Sequence, residues 1–356
     1  GLWSLSYEQE LTTPLHITAG RGHSACLRLL LLRGAAVDFA PGGRTALHDA
    51  CAAASSDCVR LLLSAGADPE AVSEDGYRPL HLCKSSDSIE CVRQLLQHGA
   101  SVNSQTEDEN DTALHVASRH GLAEHVQLLL HHGAELEVKN KEGQTPLNAA
   151  CAQQHQPQDM DRYYRVCQLL VESGASINAA DRDRQHPLHL ACKNANAQIA
   201  ELLLARGAKV NVMNYGGNTA LHNILQVAAY KLEHRPELVV RALLNHGAVR
   251  IWPGSLLKVG APAVPGGWCT PSSSCCLCKT PADEGLISFP VEVVQKYPCF
   301  YQSLFSLGHR PRSLQHLARC TLRTLLEGRL LLVLSQLHLP SALHQFLLLG
   351  FEDVLY

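Results

Sequence analysis

Charge of neither sign dominates this chain of 356 residues. It has 30 Lys and Arg against 33 Asp and Glu, a formal net charge of −3. That balance argues against a general nucleic-acid binder, which needs a basic stripe to neutralise phosphates. Long apolar runs are also missing. The longest Leu-rich stretch, Leu330–Leu334, is far short of the roughly 20 residues that cross a bilayer. Gly1 opens no myristoylation pattern, because Leu5 stands where Ser or Thr is needed. Neither a nucleic-acid nor a membrane partner is therefore expected. Catalytic signatures are lacking as well. There is no His-Glu-x-x-His, no phosphate-binding Gly-rich loop and no Gly-x-Ser-x-Gly. We expect no catalytic residue, no cofactor and a non-enzymatic role. The chain does not begin with Met, and no hairpin signal precedes Thr13. Residues 1–12 read as the remnant of an N-terminal region, with native sequence expected upstream.

What is present is a repeated phrase. It reads Thr13-Pro14-Leu15-His16, Thr45-Ala46-Leu47-His48, Arg78-Pro79-Leu80-His81 and Thr112-Ala113-Leu114-His115. It continues as Thr145-Pro146-Leu147-Asn148, His186-Pro187-Leu188-His189 and Thr219-Ala220-Leu221-His222. The fourth position advances by 32, 33, 34, 33, 41 and 33 residues. Each phrase is answered by a Leu-rich segment and a Gly-Ala pair, the first Gly34-Ala35 and the last Gly247-Ala248. A period near 33 predicts stacked supersecondary units, none of which can bury its apolar face alone.

Each position of the phrase has a mechanical meaning. Thr13 suits a helix N-cap, where its hydroxyl accepts an orphan N–H. Pro14 suits the first helical position, where no N–H is needed. Leu15 points into the stack, and His16 can bond laterally and tie one hairpin to the next. A second helix follows, such as Ala25–Leu32, and Gly34 closes it in the left-handed conformation. Of the 20 His, six stand at the fourth position of the phrase, and the Leu-Leu-x-His-Gly-Ala rhythm explains His98 and His132. This pattern resembles the ankyrin repeat over residues 13–250, in seven copies. The resemblance implies an all-α solenoid of helix pairs joined by β-hairpin turns.

The departures from the pattern carry their own expectations. Arg78 and His186 replace the capping Thr, at about 1 kcal/mol each. Gly22 and Gly121 occupy the turn between the paired helices, where Ala54, Asp87 and Ala195 stand in other repeats. A positive φ would strain each Ala by about 1 kcal/mol. Extra residues near Gln153–Tyr164 and Gln226–Pro236 should enlarge that inter-helix loop, where insertion costs little. Eight Cys fall in the repeats: Cys26, Cys51, Cys58, Cys83, Cys91, Cys151, Cys167 and Cys192. They read as reduced core thiols, which suits the cytoplasm, with the nucleus as a second location.

Past the repeats, residues 251–286 are rich in Pro, Gly, Ser and Cys and read as an irregular linker. Cys275 and Cys278 have ligand spacing, but Cys269 and Cys276 make a poor second pair, so no metal site is assigned. Residues 287–310 read as a helical connector. In residues 311–356, Leu314, Leu317, Ala318, Thr321, Leu322 and Leu325 fall at helical offsets 0, 3, 4, 7, 8 and 11. Periodicity alone suits a buried core face as well as a docking face.

Ser313-Leu314-x-x-Leu317-Ala318-x-x-x-Leu322 resembles the BC box by which SOCS-box proteins grip elongin C. Leu337-His338-Leu339-Pro340-Ser341-Ala342-Leu343 resembles the cullin box, with His338 in place of its first Pro. The whole chain resembles the ankyrin-repeat and SOCS-box family, with a small three-helix SOCS box at residues 311–356. The resemblance implies the substrate receptor of a cullin–RING ubiquitin ligase. Ser313, Leu314, Leu317, Ala318 and Leu322 would bind elongin C, paired with elongin B. Leu337, Leu339, Pro340 and Leu343 would bind cullin-5 with its RING partner. An unidentified target protein would sit on the hairpin tips. Candidate contacts there are Glu107, Asp108, Glu109 and Asp111, the mixed set Lys139, Lys141 and Glu142, and then Asp181 and Arg182. An acidic tip would recruit a basic segment; the alternative is a loop kept polar for solubility. The competing function is an ankyrin scaffold without a ubiquitin role.

Overall fold

The structure is a computed structural model that describes residues 12–154, 156–228 and 231–248, with Thr321, Leu322 and Leu325. The described residues fall into two compact units divided after Arg182, with residues 154–160 grouped with the second.

The first unit opens with α1 (Pro14–Gly20) and α2 (Ser24–Leu32), then α3 (Ala46–Ala52) and α4 (Ser56–Ser64). The third repeat has 3₁₀ turns at Pro79–Leu82 and Ser86–Ser88 before α5 (Ile89–Gln97). Next come α6 (Ala113–Arg119), α7 (Ala123–His131), α8 (Pro146–Ala152) and α9 (Met160–Glu172). The second unit holds α10 (Pro187–Lys193), α11 (Ala197–Ala205), α12 (Ala220–Val227) and α13 (Pro236–Asn245). This is the ankyrin-repeat solenoid, with helices packing on their counterparts in the next repeat: α1 on α3, α2 on α4, α6 on α8, and α10 on α12.

Leu of the phrase is the core residue in every repeat. Leu15, Leu47, Leu80, Leu114, Leu147, Leu188 and Leu221 are all buried. Each contributes about 2 kcal/mol relative to an exposed side chain. The Gly-Ala pair also has a structural reason. Gly34 has φ +84° and Gly247 +90°, and Ala35 N donates to Leu30 O at 3.1 Å while Ala248 N donates to Leu243 O at 2.9 Å. The glycine turns the chain so that the alanine N–H reaches back to an orphan carbonyl.

The phrase histidine links consecutive repeats. Thr45 N donates to His48 Nδ1 at 3.2 Å, and His48 Nε2 lies 3.0 Å from Tyr77 O in the next repeat. His16 reaches Arg44 O at 2.8 Å, and His115 reaches Gln144 O at 2.9 Å. A carbonyl can only accept, so the proton sits on Nε2. The threonine hydroxyl departs from expectation. Thr13, Thr45, Thr112 and Thr219 each place Oγ1 within 2.7–2.9 Å of the histidine Nδ1. Thr112 and Thr145 also accept a helix N–H, both at a long 3.4 Å.

Other expectations need correction. Cys26 is exposed, whereas Cys51, Cys58, Cys83, Cys91, Cys151, Cys167 and Cys192 are buried. Its counterpart Cys58 sits on α4, between α2 and α5 of the flanking repeats; α2 packs on α1 and α4, with no helix of an earlier repeat beside it among the described residues. The hairpins reduce to one β-bridge among the described residues, Gln105 with Thr112. The insertion after α8 is not all loop: α9 has 13 residues where α4, α5, α7 and α11 each have 9. Ala54 and Ala195 do adopt φ +54°, while Asp87 lies in a 3₁₀ turn.

The third repeat loses its first α-helix, but the replacement of Thr by Arg78 is not sufficient cause. His186 makes the same kind of replacement and α10 keeps 7 residues. The difference lies downstream, where Ser85, Ser86, Asp87 and Ser88 compete for backbone groups. Ser88 Oγ donates to Ser85 O at 2.6 Å and accepts from His125 Nε2 at 2.9 Å.

Candidate target-binding surface

The tips between repeats are built from tight turns joined backbone to backbone. In the first unit Glu74 N donates to Gly43 O at 2.9 Å, Glu107 N to Gly76 O at 3.2 Å, Lys141 N to Glu109 O at 2.8 Å and Arg182 N to Glu142 O at 3.0 Å. Gly143 shows why these turns hold glycine. Its φ is +75°, and an added Cβ would stand 2.9 Å from Arg182 N. Side chains at the turn crests are thus carried on a rigid, evenly spaced ridge.

Glu107, Asp108 and Glu109 lie exposed on that ridge. Asp111 does not. It is 4% exposed, and its carboxylate takes Arg119 Nη1 at 2.6 Å, Arg119 Nη2 at 3.2 Å and Asn140 Nδ2 at 3.0 Å. A buried carboxylate so occupied supports the turn. The two lysines are also engaged: Lys139 Nζ donates to Ala180 O and Lys141 Nζ to Asp108 O, each at 2.9 Å. Glu142 and Arg182 are exposed, and Asp181 is half-buried.

The second unit offers a surface that sequence reasoning missed. A groove of about 310 Å³ is lined by Gln185, Lys193, Asn214, Tyr215, Asn218 and Asn223. Tyr215 is 76% exposed at the tip and nearby Met213 is 56% exposed. The available signal was an aromatic at a tip crest where Glu74, Glu107, Lys141 and Arg182 stand in other tips.

Electrostatics separate scaffold from surface. Burial lowers the pKa of His48, His115, His189 and His222, and pushes His81 down to about 4. His125, buried against Ser88, is also pushed down to about 4. These neutral imidazoles are structural ties. Burial pushes the Cys91 thiol up to about 12, so it carries no thiolate at neutral pH. Among the described residues no group of three His, Cys, Asp or Glu is placed to hold a metal ion. Cys269, Cys275, Cys276 and Cys278 lie outside the described residues.

In the tail, Thr321, Leu322 and Leu325 are helical, with Leu322 43% and Leu325 69% exposed. Ser313, Leu314, Leu317, Ala318, Leu337, Leu339, Pro340 and Leu343 lie outside the described residues, as do 251–320.

Comparison with known proteins agrees with this architecture. The ankyrin-repeat family (three copies) matches residues 4–73, 53–140, 106–181, 133–214 and 158–252. The SOCS-box family matches residues 310–348. Ankyrin repeat and SOCS box protein 10 of Mus musculus is 50% identical, over 100% of this chain and 77% of its own length. Ankyrin repeat and SOCS box protein 18 of Homo sapiens is 44% identical, over 100% of this chain and 77% of its own length. Among solved structures, the ankyrin repeat domain of human ASB11 matches with a TM-score of 0.55 and 30% identity. It covers 65% of this chain and 97% of that domain. By its repeats, its C-terminal box and relatives alike over their shared length, the chain belongs to the ankyrin repeat and SOCS box protein family.

Proposed function

We propose that this chain is the substrate-recognition subunit of a cullin–RING ubiquitin ligase. The SOCS box behind an ankyrin array is the observation that carries the reading, and family membership supports an adaptor role in ubiquitination. The box docks on elongin C, with elongin B, and on cullin-5 with its RING partner. Leu314 fills an apolar pocket on elongin C, Ala318 permits close helix approach, and Ser313, Leu317 and Leu322 extend the contact. Exposure of Leu322 in a helical segment is compatible with that part. A few such anchors carry most of an interface's energy. Leu337, Leu339, Pro340 and Leu343 meet the cullin.

The chain performs no covalent step. It holds a target's lysine near an activated ubiquitin and so raises the effective concentration of the reacting pair. The target sits on the array, where the tips at Glu107, Asp108, Glu109 and Arg182 offer charged contacts. We place the complex in the cytoplasm and nucleus, where the buried thiols of the repeats stay reduced.

The test is capture of purified elongin B/C by the full chain, beside a Leu314→Ala, Leu322→Ala double variant. Capture by the wild type and loss in the variant is the expected result. No capture by a folded wild-type chain would leave an ankyrin scaffold without a ubiquitin role.

A further inference from the structure

Several irregularities of the first unit converge on one place, the inter-helix turns of its third, fourth and fifth repeats. The third repeat has a 3₁₀ turn at Ser86–Ser88 where a regular repeat begins its second helix. The fourth turns at Gly121, with φ +67° and no Cβ. The fifth extends α9 at its start, and that extra turn reaches over the fourth repeat. Tyr163 Oη donates to Arg119 O at 3.1 Å, and a Cβ on Gly121 would come within 2.8 Å of Arg162 Nε. Between the shortened turn and the overhang lies a groove of about 630 Å³.

Its lining is part apolar, and its charged side chains are biased toward the positive. Lys84, His120, Arg162 and Arg165 contribute cations or a titratable ring, and Glu124 and Asp161 are the acids. Burial lowers the pKa of His120, and Lys84, Arg119 and Arg162 push it the same way, with no acid among the opposing causes. The field at the imidazole is therefore positive. The ring faces of Tyr77 and Tyr163 lie 5.2 Å from Lys84 Nζ and 5.4 Å from the Arg162 guanidinium, and they fix where two of these charges stand.

We propose that this groove docks a carboxylate-rich segment of a protein bound by the array. Charge complementarity selects the occupant, and the groove's volume admits a short peptide rather than a single ion. It stands apart from the tip ridge, whose exposed Glu107, Asp108 and Glu109 select the opposite sign. Two surfaces of opposite charge on one unit give a target two conditions to meet, and a partner that meets one alone is held weakly. The inference rests on the reading of the array as a target-holding surface, not on attachment to a ligase.

The test uses the full purified chain and a fluorescein-labelled hexaglutamate peptide, read by anisotropy at low and moderate salt. Binding by the wild type that weakens with salt is expected. Arg162→Glu with Arg165→Glu should weaken it by about tenfold or more. A control with the same charge change elsewhere, Arg60→Glu with Arg93→Glu, should bind like the wild type. The milder pair Lys84→Gln and Arg165→Gln guards against loss of fold in the first variant, as checked by circular dichroism. Equal loss in the groove and control variants would overturn the site, as would no binding by the folded wild type. A phosphoserine peptide that binds where hexaglutamate does not would overturn the carboxylate assignment. Elongin capture is read separately, so failure here leaves the ligase reading standing and the converse also holds.

Discussion

The third and fourth repeats are neighbours of nearly equal length, yet one begins with a 3₁₀ turn and the other with a two-turn helix. Each histidine nevertheless ties its repeat to the next, though through different carbonyls. His81 Nε2 meets Ser104 O at 2.9 Å, and His115 Nε2 meets Gln144 O at 2.9 Å. Leu80 and Leu114 are 4% and 1% exposed. The repeat is therefore specified by its leucine, its tie and its Gly-Ala closure, and the helix between them is negotiable. The fifth repeat sharpens the contrast. Asn148 replaces the histidine, and its Nδ2 donates to Ala179 O at 3.2 Å, a tie that does not titrate.

Acidification should separate these repeats most widely. The folded chain holds His81 and His125 at about 4 against an ordinary 6.5, and lowers His48, His115 and His189. Unfolded imidazoles take up protons that the folded ones refuse. Stability is thus complete above about pH 6.5 and falls as the pH drops from there toward about 4. Denaturant melts across that window should show the fall, and hydrogen exchange should show it at the histidine ties before the Asn148 tie. A flat profile would refute the ties as neutral imidazoles.

Next in size is the leucine. Leu114→Ala should cost about 3 kcal/mol, and Leu80→Ala less, because a 3₁₀ turn collapses more readily onto the cavity. Urea midpoints of the two variants settle the order. The tie itself comes third. His115→Ala and His81→Ala each leave buried backbone groups unpaired and should cost about 2 kcal/mol. If the tie is independent of helix type, the two losses agree. The smallest effect is at the inter-helix turn. Ala54→Gly should stabilise the chain by up to about 1 kcal/mol by relieving a positive φ. Gly121→Ala should destabilise it, because the new Cβ also crowds Arg162 and Tyr163. Thermal shifts of opposite sign are expected.

The repeats were legible because their signals are local. Gly-Ala closes a helix five residues back, and Thr and His bond across three positions. Positive φ at Ala54 followed from alignment with Gly22 and Gly121. What was illegible depends on neighbours distant in the chain. Cys26 matches Cys58 in pattern but has no helix of a preceding repeat beside it among the described residues. Asp111 resembles an exposed acid until Arg119 and Asn140 are seen to close on it. The third repeat's turn follows from a Ser88–His125 bond spanning two repeats, and the groove over Gly121 arises only once α9 extends backward. Sequence pattern states what a face prefers, whereas coverage is decided by what stacks beside it. The elongin and cullin contacts were read from motif resemblance alone and lie almost wholly beyond the described residues.

The histidine tie has a direction. His16 reaches the carbonyl just before Thr45, His48 the one just before Arg78, and His115 the one just before Thr145. Each of these units therefore carries a plug on its forward side, and the next carries the matching socket immediately ahead of its own cap. A unit copied or removed whole meets the same fitting at both new joints. An array wired this way can change length by whole units with no redesign of its seams, and the surface displayed on the outside remains free to vary.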